Sequence, residues 1–396
     1  MSRALFSLNP DLARLRSEGY FMRVQGSLLV MLEVPYVNAQ RQVRFGTLSS
    51  ALDLAGDRTR KPETHVINWD GDFPCNADGT PLPGISHQEP NTDLGHGLKA
   101  RFTFSSKPSD LGYPDYYAKM STYATILSGP AAVLQPGLSP RVFRGGDEEE
   151  EASVFNYLDT ASSRVGIGAL VAKLEQEVVA IIGLGGTGGY ILDFVAKTPV
   201  KQIHLFDPDV FLSHNAFRAP GAPTLEELRD APMKVHYLKG IYGRMHRFIE
   251  AHPVEMKADT LGLLDGITFA FLSMDAGEEK RAVVTKFEAL DVPFIDVGMG
   301  LELNNGSLGG ILRVTTSTPE KREHIHQGRI SFAGGGGQDL YASNIQVADL
   351  NALNACLAVV KWKKLRGFYR DLENEHHSTY TLSLIHISEP TRQEAI

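Results

Sequence analysis

The chain has 396 residues, 42% of them hydrophobic and 22% charged, and its 39 basic against 47 acidic side chains leave a formal net charge of −8. That balance supplies core for two or three domains and argues against a nucleic-acid-binding surface, which needs clustered positive charge. Cys75 and Cys356 are the only cysteines, too few for a disulfide framework, which suits a reducing compartment.

In chain order, MSRALFSLNPDLARLRSEGY carries no sustained apolar core of the signal-peptide kind, and no later stretch has the length of a membrane helix. A cytoplasmic protein with no membrane and no nucleic-acid partner is expected. Asp11 to Glu18 reads as a short helix, and FMRVQGSLLVMLEVPYV has two apolar runs around Gly26, a hairpin signal. Beyond Pro35 turn formers dominate, most densely in GDFPCNADGTPLPG, and GYPDYY followed by KMSTYATIL reads as a turn entering a helix. Residues 1–140 are therefore expected to form a smaller α+β domain. Cys75 has no evident base beside it and reads as an inert thiol before a nucleophile. His65, His87 and His96 lack metal-ligand spacing, and the GYPDYY aromatics read as core before a peptide-binding ledge.

Gly145 to Glu151, GGDEEEE, ends in five acids that repel one another and bury nothing, so 141–152 is expected to be a solvated linker. Val178 to Ile182 is a continuous apolar run followed at once by glycines, the pattern of a buried parallel strand. Gly183, Gly185 and Gly188 spell G-x-G-x-x-G, with Gly186 and Gly189 in addition, ahead of a helix from Tyr190 to Lys197. Lacking a Cβ, such residues let the chain turn tightly and let a phosphate approach main-chain N–H groups at the positive end of the helix. Close helix–sheet packing alone would ask for the same residues. Ile203 to Phe206 is a second strand that delivers Asp207 where a ribose-binding acid is expected. After it, DPDVFLSHNAFR sets two acids, Asn215 and Arg218 within twelve residues. Hydride transfer has no need of an amide and a guanidinium beside the ribose, whereas splitting the α–β phosphate bond does, so ATP is expected.

The alternation continues with a helix from Met233 to Ile249 that begins with Lys234, strands at Thr268–Leu272 and Pro293–Val297, and a helix from Ala282 to Leu290 between them. That order means a mostly parallel sheet with helices on both faces, a Rossmann-like doubly wound α/β fold. Asp275 follows the carboxyl end of its strand, where such sheets bind ligands, a position equally suited to capping the next helix. Gly298 to Ser343 is glycine-rich and reads as irregular. In DLNALNACLAVVKWKKLRG, Leu350, Leu353, Leu357 and Val360 recur at helical spacing, with Cys356 beside the stripe and Lys361, Lys363 and Lys364 ahead of a Gly367 stop. LSLIHISEPTR, from Leu382, looks like a translated sequencing adapter, so 381–396 is set aside as a non-native tail.

GLGGTGGY, DPDVFLSHNAFR, Lys234 in APMKVHYL, and SMD at Ser273 to Asp275 together resemble, in order and spacing, the ThiF/MoeB/HesA-type adenylyltransferase family, which includes the ubiquitin-activating enzymes and the molybdopterin and thiamin sulfur-carrier activators. The resemblance runs from about Ser162 to Gly367, roughly half of the chain, within a domain expected to span 153–380. It implies an ATP- and magnesium-dependent enzyme that adenylates the C-terminal carboxylate of a ubiquitin-like or sulfur-carrier protein. By position, Gly183, Gly185, Gly186 and Gly188 hold phosphates, Asp207 the ribose, Asn215 and Arg218 the phosphates, Lys234 the transition-state charge and Asp275 the metal. It also implies a homodimer in which Arg164 reaches the nucleotide of the other subunit, a loop within 298–343 crossing the pocket, and a conjugating enzyme or sulfur donor as a further partner. The amino-terminal part resembles an uncharacterised module found ahead of bacterial domains of this type. The chain departs from the family in two respects. It has no C-x-x-C pair, so no structural zinc is expected, and the crossing loop holds no cysteine to form a thioester. Ser331 and Ser343 offer only unactivated hydroxyls. A nicotinamide-dependent oxidoreductase and a non-catalytic nucleotide-binding scaffold are the rival readings.

Overall fold

The computed structural model describes residues 2–144, 153–332 and 345–382, and the chain divides into two compact units, Met1–Lys173 and Leu174–Ile396. The division falls after Lys173 and not within the acidic run, whose residues 145–152 lie outside the described ones, as do 333–344 and the tail beyond 382. Among the described residues no helix is long and apolar enough to cross a membrane.

In the first unit, α1 (Ser2–Leu8) and α2 (Pro10–Ser17) precede β1 (Met22–Gln25), β2 (Leu28–Val37) and β3 (Val43–Ala51). There follow a small hairpin of β4 (Leu54–Ala55) and β5 (Arg58–Thr59), then β6 (Val66–Asp70) and β7 (Ser86–Gln88), a second hairpin of β8 (Thr92–Gly95) and β9 (Leu98–Ala100), and β10 (Phe102–Ser105). Six strands pair antiparallel in the order β1-β2-β3-β6-β10-β7. Gly26, at φ +59°, makes the β1–β2 turn that the two apolar runs called for. α3 (Tyr116–Leu134) packs on this sheet through Met120, Tyr123, Ala124 and Leu127, and opens where Asp115 accepts the Ala118 N–H at 2.7 Å. Two short helices, α4 (Thr160–Arg164) and α5 (Gly168–Ala172), end the unit, α5 lying against β8 so closely that Gly95 has no room for a side chain.

The second unit alternates strand and helix: β11 (Val178–Ile182), α6 (Gly186–Val195), β12 (Gln202–Phe206), the short α7 (Ser213–Ala216) and α8 (Leu225–Arg229), α9 (Lys234–Tyr242), β13 (Ile249–His252) and β14 (Phe269–Leu272). Then come α10 (Glu278–Ala289), β15 (Phe294–Asn304), β16 (Ser307–Ser317), α11 (Ala348–Leu365) and β17 (His377–Thr381). The sheet order is β13-β12-β11-β14-β15-β16-β17, parallel through β15 and antiparallel beyond. Alternate residues of the central strands serve opposite faces. Val179 and Ile181 pack with Ile191, Leu192, Val235 and Trp362 on the side of α6, α9 and α11, while Ile182, Phe206 and Leu272 pack with Val283, Val284 and Phe287 of α10 on the other.

Three sequence expectations are corrected here. The helix expected to run from Met233 to Ile249 stops at Tyr242, and Ile249 instead opens β13, an edge strand whose Ile249–His252 pairs with β12. The segment from Gly298, expected to be irregular, is an extended hairpin: β15 runs on to Asn304 and pairs residue by residue with β16. Its glycines face a neighbouring strand, so they weaken the strand signal without breaking the ladder. In α11 the buried side is Leu350, Asn351, Asn354, Ala355, Ala358, Val359, Lys361 and Trp362; of the expected stripe Leu350 is buried, Leu353 and Leu357 are half-buried against the core, and only Val360 points outward. α11 lies against α6, whose first turns are glycine, and only small or slender side chains fit that close approach.

Candidate functional site

β11 ends at Ile182, and the chain turns at Gly183 with φ +88°, a conformation that favours glycine. A β-carbon at Gly183 would stand 2.5 Å from the Ser273 carbonyl oxygen, one at Gly188 would collide with the Gly183 carbonyl, and one at Gly186 with the Asn351 amide. These three glycines are therefore required by the protein's own packing. Gly185 differs, because nothing lies within 4 Å of where its β-carbon would be. It is the N-cap of α6 and carries no side chain to cap the helix, so among the described residues the positive end of the helix is left for an anion.

β12, the neighbour of β11, delivers Asp207 at its carboxyl end. The side chain is turned inward: Asp207 is 5% exposed, its Oδ2 accepts the Leu184 N–H at 2.6 Å and its Oδ1 accepts the Asp209 N–H at 2.9 Å. Lys234, the first residue of α9, brings Nζ to 3.2 Å from Asp207 and 2.6 Å from Asp209. Asp207, expected to hold a ribose, also braces the glycine turn through Leu184 and pairs with Lys234. The more open acid is Asp209, whose side chain is 65% exposed. Removing one partner of a buried pair such as Asp207–Lys234 strands the other charge and costs about 3–5 kcal/mol.

The loop after Asp209 carries the amide and the guanidinium. Asn215 is buried, and its Oδ1 accepts the Leu212 N–H at 2.9 Å, so it closes the turn of α7 and keeps only its amide nitrogen for another partner. Arg218 follows that turn, its N–H donating to the Asn215 carbonyl at 3.1 Å. The Arg218 Nε is buried with no hydrogen-bond partner among the described residues. A guanidinium nitrogen out of water and unbonded is costly, and an anionic ligand would relieve it.

β14, on the other side of β11, sends the chain past Ser273, whose hydroxyl donates to the Gly183 carbonyl at 2.6 Å, to Asp275. Asp275 is exposed and has no ion-pair partner among the described residues. Three groups the sequence reading missed brace this loop. Lys280, 3% exposed, donates to the Met274 carbonyl at 3.2 Å and pairs with the fully buried Asp296, to which Arg313 also donates at 2.6 Å. A lone acid inside the apolar strand FIDVG is the signal that could have found the triad, since a charge there needs a buried partner.

Arg164 closes α4 in the first unit, and its side chain is outside the described residues. Cys75 is buried, and burial with nearby Asp78 pushes its thiol up, away from the reactive thiolate. Cys356 is exposed on α11. His65 meets the Ser105 hydroxyl at 3.0 Å and His87 the Thr103 hydroxyl at 3.2 Å, while Tyr113 and Tyr116 are core residues. Among the described residues no three of His, Cys, Asp and Glu gather to hold a metal. That does not exclude magnesium, which takes one or two protein carboxylates and completes its shell with substrate phosphates and water. Ser343 and the loop of 333–344 are outside the described residues.

Residues 10–160 match the family model of a domain of unknown function, DUF6791. No curated protein matches the chain. Among solved structures, MccB of E. coli with ATP is 17% identical over 56% of this chain and 70% of its own, with a TM-score of 0.41. The Microcin C7 biosynthetic enzyme MccB in complex with N-formylated MccA is 16% identical over 55% and 67%, again with a TM-score of 0.41. PaaA is 17% identical over 54% and 75%, with a TM-score of 0.39. Likeness at that level leaves the function to be argued from the site.

Proposed function

We propose that the second unit binds ATP with magnesium and adenylates a carboxylate, the C-terminal carboxylate of a ubiquitin-like or sulfur-carrier protein. The observations that carry this reading are the buried, unbonded Arg218 Nε, in a residue whose backbone carbonyl lies against Gly186, and the open space in front of Gly185. A polyphosphate answers both, since it satisfies the guanidinium and the bare N–H groups of α6 together.

In this reading the attacking carboxylate oxygen bonds to the α-phosphorus as the bond to the pyrophosphate oxygen breaks. The residues align the two and offset charge. Gly185 leaves room for the phosphates against the α6 N–H groups, and Arg218 and the Asn215 amide nitrogen donate to their oxygens. Lys234 is held ready between Asp207 and Asp209 and reaches the developing charge by leaving the exposed Asp209. Asp209, more than Asp207, offers a carboxylate to the ribose hydroxyls. Asp275 holds magnesium, which when bound neutralises phosphate charge.

The test is pyrophosphate exchange into ATP in the presence of carrier proteins, with thermal protection by ATP and magnesium compared against NAD(H). Arg218→Ala and Asp275→Ala should each lower exchange by a hundredfold or more, on the order of 3 kcal/mol of transition-state stabilisation. Protection by NAD(H) alone, or full exchange in both variants, would sink the reading.

A further inference from the structure

Asn351 lies inside α11 with no exposed surface. Asparagine is a weak helix former, and a buried amide is costly unless both its ends are bonded. Here both are: Oδ1 accepts the Thr187 hydroxyl at 2.9 Å, and Nδ2 donates to the Arg218 carbonyl at 3.2 Å. Thr187 is the second residue of α6. A single side chain thus ties the first turn of the glycine helix to the backbone of the residue whose guanidinium Nε is buried and unbonded. Gly186 is what admits it, because a β-carbon there would run into the Asn351 amide and would stand 2.7 Å from the Arg218 carbonyl oxygen. Asn354, one turn along the same helix, is buried to the same degree but spends its amide on the Gly298 carbonyl at 3.0 Å and leaves Oδ1 unbonded. The doubly bonded amide is the one at the glycine turn.

We infer that Asn351 is a positioning residue for the anion site. It holds the Arg218 backbone against the start of α6, so that the guanidinium and the open helix end address the same ligand. The ligand's identity as the polyphosphate of ATP rests on the adenylation reading above, whereas the tether itself does not.

The test is a cycle of Asn351→Ala and Arg218→Ala, singly and together, read by pyrophosphate exchange, ATP affinity and melting temperature. Asn351→Ala should lower exchange at least tenfold in the Arg218 protein and less than twofold in the Arg218→Ala protein, because its effect passes through Arg218. Equal losses in both backgrounds, or none in either, would overturn the inference and leave Asn351 a packing residue. Thr187→Val, which removes only the hydroxyl bonded to Oδ1, carries the same comparison if Asn351→Ala does not fold. If the unaltered protein neither binds ATP nor catalyses exchange, the adenylation reading fails on its own. The tether is then judged from the Arg218 Nε–H signal in ligand-free protein by NMR. Faster solvent exchange of that proton in Asn351→Ala supports it, and an unchanged rate refutes it.

Discussion

Lys234 is shared by two acids of unequal exposure, with side chains 6% exposed for Asp207 and 65% for Asp209. The inner pair is structural and the outer contact exchangeable, since a solvent-exposed ion pair is worth about 0–1 kcal/mol. Asp209→Asn should therefore leave the melting temperature within a few degrees of the unaltered protein while changing ATP affinity. Asp207→Asn should lower stability by about 2 kcal/mol or more, because it leaves the buried Lys234 only the exposed Asp209 as counter-charge and weakens the bonds to the Leu184 and Asp209 N–H groups. Thermal melts of both variants check this, and equal destabilisation would refute the inner/outer distinction. In the first unit, Lys119 is fully buried and bonded at 2.8 Å to the Ser50 hydroxyl and the Thr64 carbonyl, and burial pushes it down to about 7 from 10.5. Between those two values the unfolded chain binds a proton that the folded chain lacks, so this lysine makes stability rise with pH above about 7. The contribution is least below that value, where the buried ammonium must be carried. Denaturant melts from pH 6.5 to 9 should show a stability gain of roughly 1–3 kcal/mol that Lys119→Met flattens. A variant with the same slope would exclude Lys119 as its source.

The glycine turn between β11 and α6 serves two purposes, and its glycines divide between them. Gly188→Ala meets the Gly183 carbonyl and stands 2.5 Å from the Ser273 hydroxyl, so it should cost stability and lower soluble yield. Gly185 has φ −67° and open space at its β-carbon position, so Gly185→Ala should fold with an unchanged melting temperature. Placed at the bare end of α6, the new methyl should still weaken ATP binding tenfold or more. Calorimetric titration of ATP into both variants separates the two roles. A Gly185→Ala protein with full affinity would place the nucleotide elsewhere. The loop after β14 obeys a similar division. Asp275 is exposed for a ligand, while Lys280, Asp296 and Arg313 hold the loop from beneath.

For the whole molecule, the dimer that the resemblance implies remains to be tested through Arg164. Mixing Arg164→Ala with Asp275→Ala protein should restore part of the exchange activity if each pocket borrows Arg164 from its neighbour. No recovery despite proven subunit exchange would count against a shared site. With Cys75 buried and its thiol pushed up, and Cys356 on the outside of α11, adenylation should end at the acyl-adenylate or pass the acyl group directly to a nucleophile on another protein. Incubation with ATP, magnesium and carrier should yield pyrophosphate without a thiol-sensitive adduct on a denaturing gel. An adduct lost in Cys75→Ala would make the first unit a second catalytic centre.

Much of the second unit was legible in the sequence because its signals are local. A five-residue apolar run, a glycine cluster and a second apolar run ending in an acid are contiguous, and β11, α6 and β12 formed where those patterns stood. The β1–β2 hairpin and α3 were readable for the same reason. What chain order could not show was direction. Asp207 sits where a ribose-binding acid is expected, yet it turns inward because Leu184, Asp209 and Lys234 reach it from three separate segments. The leucines of α11 do pack on core, Leu350 buried and Leu353 and Leu357 half-buried, but their spacing did not show that the helix turns Asn351, Asn354, Ala355 and Ala358 inward as well, against the glycine-rich start of α6. The Lys280–Asp296–Arg313 triad and the Asn351 tether likewise join residues far apart in the chain. Periodicity and turn chemistry act between neighbours and so can be read along the chain, whereas which polar group meets which is decided only when packing brings the segments together.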